Sequence, residues 1–125
     1  ELGLLEGLSC HWERTVAPIL DKEFLSCTYY GMRDAFIIKY TMDGQRALPL
    51  HNDASLVTGS IKLNDQYTGG ELYYPRQRFS NKDIPVGKCI LFPGMVSHPH
   101  QSLELKSGTK WSLTIWTKRQ HKDSN

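Results

Sequence analysis

The sequence predicts a mainly β domain, with an N-terminal helix packed outside a β-sandwich or barrel. Helical spacing is confined to about the first 25 residues, about six to eight short β-rich runs follow it, and turn residues separate those runs. A chain of 125 residues has the size of one ordinary domain. We therefore expect residues 1–125 to form one unit, with a helical part at about 1–25 and a β-barrel at about 28–117.

The helical part is indicated by apolar residues from Leu4 to Leu25 at spacings of one, three or four. This spacing is typical of an amphipathic helix or of two short ones, and Pro18 is expected to end the helix near its position.

The β part is indicated by short runs rich in β-branched and aromatic residues. The runs lie at 28–30, 35–40, 56–63, 71–74, 88–92 and 110–116. Turns are predicted at Asp43-Gly44, at Asn64-Asp65, at Pro85-Val86-Gly87 and at Gly69-Gly70, where the glycines supply a positive φ.

The last run, from Lys110 to Trp116, alternates between two kinds of side chain. Trp111, Leu113 and Ile115 fall on one face, which suits a core, and Lys110, Ser112, Thr114 and Trp116 fall on the other. The second face mixes polar residues with a tryptophan, which is unusual for a face exposed to solvent. Trp116 itself is interpreted as a core residue rather than as a surface that contacts substrate.

Composition argues against several classes of protein. The net charge of +2 and the pI near 8.5 are too mild to indicate a nucleic-acid partner, and no apolar run is long enough to span a membrane. The three cysteines have neither zinc spacing nor an even count, so we expect no disulfide scaffold and at most one bridge, between Cys10 and Cys27. The chain starts at Glu1, which favours a mature form or an excised piece of a larger protein.

The motif that indicates chemistry is His51-Asn52-Asp53, followed by His98-Pro99-His100. On a strand end, side chains two residues apart point the same way, so His51 and Asp53 share a face. Two histidines and one carboxylate on one side of a metal are the ligand set of non-haem iron(II) oxygenases. Alternation alone leaves the second histidine open between His98 and His100.

Lys110 follows His100 by ten residues, enough for one strand to end, turn at Ser107-Gly108 and return beside the metal pocket. A co-substrate such as 2-oxoglutarate chelates iron(II) through its keto-acid end, and its far carboxylate then needs a cation. Lys110 suits that role, with Ser112 as a neutral hydrogen-bond donor and Tyr40 as either a pocket residue or a core aromatic.

Several segments in order resemble the catalytic domain of the procollagen lysyl hydroxylases, from about Val16 to Trp116. They are Tyr40, His51-Asn52-Asp53-Ala54-Ser55, Tyr67-Thr68-Gly69-Gly70-Glu71, Pro93-Gly94, Ser97-His98-Pro99-His100 and Gly108-Thr109-Lys110-Trp111. The resemblance implies a double-stranded β-helix (a jelly-roll, cupin-like fold) and an iron(II)- and 2-oxoglutarate-dependent dioxygenase. It also implies that the metal ligands are His51, Asp53 and His100, with no further catalytic residue.

One departure bears on the substrate. Lysyl hydroxylases carry Arg where this chain has Lys110, whereas the similar collagen-type prolyl 4-hydroxylases carry Lys. The resemblance implies hydroxylation of a peptidyl lysine in a collagen-like substrate, with peptidyl proline as the alternative, and dioxygen as the oxidant. The resemblance further implies that ascorbate could serve as a cofactor and that the protein could form a homodimer. It implies a location in the endoplasmic reticulum; without it, the expected location is the cytoplasm.

Candidate substrate or rim residues are His98, Tyr74, Arg76 and Arg78, and the variable loops at 64–68 and 75–85 are expected to read the substrate. One rival interpretation is a zinc or cupin-like hydrolase in which His51, His98 and His100 bind the metal. Another is a non-catalytic β-domain that binds proteins. Neither rival explains why Asp53 and Lys110 accompany the histidines.

Overall fold

The computed structural model describes residues 2–23, 28–29, 31–117 and 120–121. The helical region consists of α1 (Leu2–His11), a π-helical turn (Trp12–Val16) and α2 (Ala17–Glu23). The strands are β1 (Thr28–Tyr29), β2 (Met32–Tyr40), β3 (Leu48–His51), β4 (Val57–Lys62), β5 (Tyr67–Gly69), β6 (Leu72–Tyr74), β7 (Phe79–Ser80), β8 (Cys89–Pro93), β9 (His100–Ser102), β10 (Leu105–Gly108), β11 (Lys110–Thr117) and β12 (Gln120–His121).

The strands form two four-stranded antiparallel sheets. We call the sheet with order β2-β11-β4-β8 the major sheet, and the sheet with order β3-β9-β6-β7 the minor sheet. Two short pairs, β5 with β10 and β1 with β12, complete the topology. Residues of both large sheets line one pocket between them. The predicted mainly β jelly roll with an N-terminal helix is therefore confirmed, although it has more short strands than predicted in the described part of the chain.

The helical region passes Pro18 without ending there, contrary to the prediction. Pro18 is the second residue of α2, and Ala17 just before it donates to the carbonyl of Trp12, five residues back. A proline lacks the N–H of a helical bond and crowds the carbonyl four residues before it. The π-helical turn widens the helix at this point, so α2 can continue to Glu23.

The main core lies between this helical region and the outer face of the major sheet. Trp12, Leu20 and Ile115 are buried to 2% exposure or less, and Leu113 packs against them. Gly59 makes this approach close, because a Cβ at that position would lie 3.1 Å from the Trp12 ring. Leu113 and Ile115 thus occupy the core face that the alternation of β11 predicted, whereas Trp111, predicted for the same face, is 39% exposed.

The opposite face of β11 lines the pocket with all four of its alternate residues, namely Lys110, Ser112, Thr114 and Trp116. Trp116 is half-buried there, so its interpretation as a core residue was wrong. The sheet register explains this position: Trp116 pairs with Thr58 of β4, whose side chain also faces the pocket. The predicted positive φ is confirmed at Gly69 and Gly70, with values of 71° and 68°.

Cys10 is exposed, and its candidate bridge partner Cys27 lies outside the described residues. None of the described helices is both long and apolar enough to cross a membrane.

Leu20 should be a main contributor to the packing of α2 on the sheet. Because its side chain is fully buried, Leu20→Ala is expected to lower the free energy of unfolding by about 2–5 kcal/mol through lost burial and a cavity. Its neighbour Ile19 is 53% exposed, so Ile19→Ala should change stability by about 0.5 kcal/mol or less. Urea denaturation of both variants checks this, and equal losses would contradict the packing described.

Candidate metal centre

His51 and His100 meet across two strands of the minor sheet. His51 ends β3, His100 begins β9, and the two residues pair directly in the antiparallel register. Their ring centroids lie 4.4 Å apart. Directly paired residues place their side chains on the same face of a sheet, so the pairing itself brings the two imidazoles together.

Asp53 lies two residues beyond the end of β3 and points at the same place. Its backbone N–H donates to the carbonyl of Gly94 at 2.7 Å, which fixes the chain just after the strand. Its Oδ1 lies 3.3 Å from Nε2 of His51 and 3.3 Å from Nε2 of His100. Its Oδ2 accepts a hydrogen bond of 2.9 Å from the hydroxyl of Thr58. The 6% exposed carboxylate is thus held at both oxygens.

Both imidazoles are oriented by backbone carbonyls. Nδ1 of His51 lies 2.7 Å from the carbonyl oxygen of Pro49, and Nδ1 of His100 lies 2.9 Å from that of His98. A carbonyl only accepts, so each Nδ1 carries the proton and donates it. In the neutral ring the unprotonated nitrogen is then Nε2, which can bind a metal, and this is the usual arrangement of metal-binding histidines.

The charges of the site reinforce one another. Burial acts to raise the pKa of Asp53, but the hydrogen bond and charge of His100 and the Thr58 hydroxyl outweigh it and hold the pKa below its usual value. Burial acts to lower the pKa of His100, but the carboxylate of Asp53 and the carbonyl of His98 outweigh it and raise the pKa. Asp53 is therefore an anion at neutral pH.

The donor set fits a divalent transition metal. Two neutral imidazole nitrogens and one carboxylate oxygen converge, with all three ligand atoms within 4.8 Å of one another. Adjacent ligands at about 2.1 Å from an octahedral metal lie about 3.0 Å apart, close to the 3.3 Å between Asp53 and each histidine. Two imidazoles and one carboxylate on one face match the facial set of non-haem iron(II) sites.

Lys110 stands at another part of the same pocket, with 5% exposure. Its ammonium donates to the carbonyl of Gly70 at 2.6 Å and to the hydroxyl of Ser102 at 2.8 Å, and lies 4.4 Å from the centroid of the Tyr40 ring. Burial lowers the pKa of Lys110 to about 8; the charge of Glu71 opposes this and that of Lys62 adds to it. Lys110 makes no ion pair with Asp53 or Glu71 in the described part of the chain.

Tyr40 and Ser112 lie on the pocket wall with Lys110. Tyr40 pairs with Lys110 across β2 and β11, and Ser112 is two residues further along the same face. The buried hydroxyl of Tyr40 is hydrogen-bonded to Ser102; burial raises the pKa of Tyr40 and this bond opposes the rise. The sequence left Tyr40 open between a core role and a pocket role, and in the structure it is buried and lines the pocket.

The four rim candidates do not gather at one place. Arg76 and Arg78 are exposed in the turn between β6 and β7, and Arg78 has a positive φ of 51°. Tyr74 is buried beside Phe92 and His100, with ring centroids at 5.0 and 5.5 Å. Burial raises the pKa of Tyr74, and its hydroxyl has no hydrogen-bond partner among the described residues. None of these three residues lines the pocket.

His98 lies outside the group that could hold a metal. Its Nδ1 is 2.7 Å from the Ser97 hydroxyl, and its carbonyl orients His100. The geometry therefore gives no support to a site in which three histidines bind zinc.

The sequence reasoning missed several pocket residues, among them the polar residues Thr58, Lys62 and Ser102. Ser102 follows His100 by two residues on β9, so alternation could have placed it on the same face. Thr58, Ser60 and Lys62 occupy every second position of β4 and therefore share one face, as the polar residues of β11 do. That pattern was a usable signal of a second polar wall.

No protein-family model matches the chain. Human procollagen-lysine,2-oxoglutarate 5-dioxygenase 2 is 33% identical over an alignment of 114 positions, which covers 86% of this chain and 15% of the relative. The 2-oxoglutarate and iron-dependent oxygenase domain-containing protein 2 of Xenopus tropicalis is 30% identical over an alignment of 138 positions, gaps included, which covers 93% of this chain and 36% of the relative. The chain thus spans well under half the length of these relatives.

Two solved structures share the fold. A collagen prolyl hydroxylase of Paramecium bursaria Chlorella virus-1, solved with 2-oxoglutarate, superposes with a TM-score of 0.70 at 22% identity, covering 93% of this chain and 74% of the other. An oxidoreductase of the 2-oxoglutarate–Fe(II) oxygenase family from Burkholderia pseudomallei also has a TM-score of 0.70, at 19% identity, covering 91% and 55%.

Fold, site and relatives together define a domain of the 2-oxoglutarate- and iron-dependent dioxygenase class. Within that class, the predicted resemblance to the procollagen lysyl hydroxylases is confirmed by several relatives of that name at 30–33% identity.

Thr58 should hold Asp53 in place for metal binding. Thr58→Val keeps the shape of the side chain but removes the hydroxyl that bonds Oδ2, so we expect the affinity for iron(II) to fall about tenfold to hundredfold. Thr68→Val is the control, because its exposed hydroxyl bonds Ser107 and does not line the metal pocket. Anaerobic metal titration measures both, and an unchanged affinity in Thr58→Val would show that Asp53 needs no such support.

Proposed function

We propose that this domain is an iron(II)- and 2-oxoglutarate-dependent hydroxylase of a peptidyl side chain, with dioxygen as the oxidant. The observation that carries the proposal is the joint placement of His51, Asp53 and His100 in one pocket with the buried cation Lys110. A metal site alone would fit many reactions. A buried ammonium in the same pocket adds the partner that a chelating dicarboxylate requires.

The proposed ligands are Nε2 of His51, Nε2 of His100 and Oδ1 of Asp53. These atoms occupy one side of the site, which leaves the side toward the pocket for co-substrate and dioxygen. The carbonyls of Pro49 and His98 accept from Nδ1, so the neutral rings offer Nε2 to the metal, and the Thr58 hydroxyl holds Oδ2, which leaves Oδ1 for the metal. The protein therefore presents a preformed site.

The proposed co-substrate anchor is Lys110, assisted by Ser112. Two hydrogens of the ammonium already go to Gly70 and Ser102, so one remains for a carboxylate. Tyr40 closes the other side with its ring against the ammonium. A carboxylate arriving here gains a charge-assisted hydrogen bond from a group already positioned to give it.

Iron(II) and 2-oxoglutarate, when bound with dioxygen, supply the oxidation that converts a substrate C–H bond to C–OH and 2-oxoglutarate to succinate and carbon dioxide. The protein contributes placement and exclusion of water. Phe36, Phe92 and Trp116 form apolar parts of the pocket wall, which limit the access of water to the reacting centre.

The names of the lysyl hydroxylase relatives support lysine as the hydroxylated residue. The pocket supplies a reason to keep proline as a second candidate. Asp53 is the one carboxylate among the described residues that line it, whereas Lys62 and Lys110 are cationic. A substrate ammonium would find no free anion there, and a neutral proline ring needs none.

An anaerobic titration with iron(II) and 2-oxoglutarate tests the proposal most directly. The visible charge-transfer band of the chelate should form in the wild type and in His98→Ala but not in His100→Ala. A band that persists in His100→Ala and vanishes in His98→Ala would reassign the third ligand. A folded, metal-loaded wild type without a band would refute chelated 2-oxoglutarate.

Asp53 should be essential for turnover. Asp53→Ala removes the one anionic ligand, so succinate formation is expected to stop while the circular dichroism spectrum stays that of a folded domain. Asp43→Ala, in an exposed turn, is the matched control and should retain the wild-type rate. Turnover at the wild-type rate by Asp53→Ala would refute the proposal that Asp53 is a metal ligand of the active site.

Co-substrate binding should weaken in alkaline solution. Lysine carries its charge below its pKa, so affinity for 2-oxoglutarate is expected to fall as the pH rises through about 8. Lys110→Arg should remove this alkaline loss, since arginine stays charged. Lys110→Ala should weaken binding by roughly 2–5 kcal/mol if the pair is buried. Equal pH profiles for wild type and Lys110→Arg would show that a residue other than Lys110 binds the distal carboxylate.

The hydroxylated residue is found by mass spectrometry of collagen-like peptides that carry lysine or proline. A gain of one oxygen on lysine supports the lysyl proposal, and a gain on proline alone replaces it with the second candidate. The ascorbate requirement, the homodimer and the endoplasmic reticulum stay predictions from the resemblance.

A further inference from the structure

Lys62 is a second cation in the pocket, and the metal site and Lys110 leave its role unexplained. It ends β4 and pairs directly with Ser112 of β11. Its side chain lines the pocket next to those of Lys110 and Ser112. Lys62 therefore stands at the co-substrate end, four residues along β4 from Thr58, which marks the metal end.

The ammonium of Lys62 is held in place by the segment that follows β7. It donates to the carbonyl of Asn81 at 3.0 Å and more distantly to that of Lys82 at 3.4 Å. Asn81 is itself fixed by two bonds with the backbone of Leu72, one from its N–H and one to its Oδ1. An ammonium has three hydrogens, so one remains for a ligand.

Lys62 and Lys110 bring two positive charges to one pocket. Besides burial, two charges act on the pKa of Lys110: Glu71 raises it and Lys62 lowers it. Neither ammonium forms an ion pair with a carboxylate in the described part of the chain. Glu71 and Asp65 line an adjoining cleft that Lys62 also borders, but not the metal pocket itself. Like charges that face one cavity favour an anion between them.

We propose that Lys62 and Lys110 together bind the distal carboxylate of the co-substrate, so that this end of the pocket is a two-lysine anion site. The inference rests on the proposed function and deepens it by adding a second co-substrate-binding residue, which comes from the neighbouring strand of the same sheet. Lys110 approaches from β11 and Lys62 from β4, and Ser112 lies between them. Each carboxylate oxygen can then accept from its own ammonium.

The test compares two 2-oxo acids on wild type, Lys62→Met and Lys62→Arg. 2-Oxoglutarate has the distal carboxylate, whereas pyruvate chelates the metal equally but has none. Dissociation constants are measured anaerobically from the chelate band, with iron(II) affinity and urea stability recorded for each protein. Lys88→Met is the control, because Lys88 is exposed and borders neither cleft.

Lys62→Met is expected to weaken 2-oxoglutarate about tenfold to hundredfold, as the loss of one charge-assisted bond predicts. Pyruvate and iron(II) affinities should stay within about twofold of the wild type, and Lys62→Arg should restore most of the 2-oxoglutarate affinity. An unchanged 2-oxoglutarate affinity in Lys62→Met overturns the proposal. Equal weakening of both acids also overturns it, because Lys62 would then act only as a clamp on residues 81–82.

These outcomes differ from a failure of the proposed function. If the iron-loaded wild type gives no chelate band with 2-oxoglutarate, the function itself is wrong and the two-lysine site falls with it. If the wild type gives the band and Lys62→Met gives it at the same concentration, only the role of Lys62 is wrong.

Discussion

The structure around the pocket depends on the buried carboxylate of Asp53. An ionised carboxylate at 6% exposure is unfavourable unless nearby groups compensate for the lost hydration. Here the compensation comes from His51, His100 and the Thr58 hydroxyl, which belong to three different strands. The charge therefore joins the minor sheet, which carries both histidines, to the major sheet, which carries Thr58. A metal ion completes the compensation with its own positive charge.

The two sheets contribute different side chains to the site. The minor sheet supplies the histidines through one directly paired register, and a slip of either strand by one residue would turn its own ring to the other face. The major sheet supplies a polar inner wall and an apolar outer face from the same strands, as β11 shows with Lys110 inside and Ile115 outside. Packing of the helical region on the outer face thus fixes the inner wall as well.

The sequence predicted the parts of this arrangement that depend on local pattern. Alternation in β11 gave both its core face and its pocket face, and the His51-Asn52-Asp53 spacing gave two of the converging groups. Alternation alone could not choose between His98 and His100, because it places both on the same face of an extended chain, and only the resemblance to the lysyl hydroxylases favoured His100. Register with β3 separates them, since His100 pairs with His51.

What the sequence did not give depends on contacts between distant segments. Pro18 was expected to end the helix, and a wider π-helical turn instead lets the chain continue. Trp116 was interpreted as core because tryptophan is large and apolar, yet it lines the polar wall opposite Thr58. Lys62 shares a face with Thr58 as clearly as Lys110 shares one with Ser112, but the two lysines are seen to line one pocket only when β4 and β11 are placed side by side.

The separation of Thr58 and Lys62 along β4 determines the distance between the two ends of the pocket. Four residues of extended strand span roughly 13 Å, and hydrogen bonds to β8 and β11 on both sides keep that length rigid. A residue can keep facing the pocket only if it moves by two positions, which is a step of about 6.6 Å. The distance between the metal end and the anion end can therefore change only in coarse increments. The loops proposed to contact the substrate can lengthen by single residues, so the proposed co-substrate site has a length set by the sheet, whereas the proposed substrate opening does not.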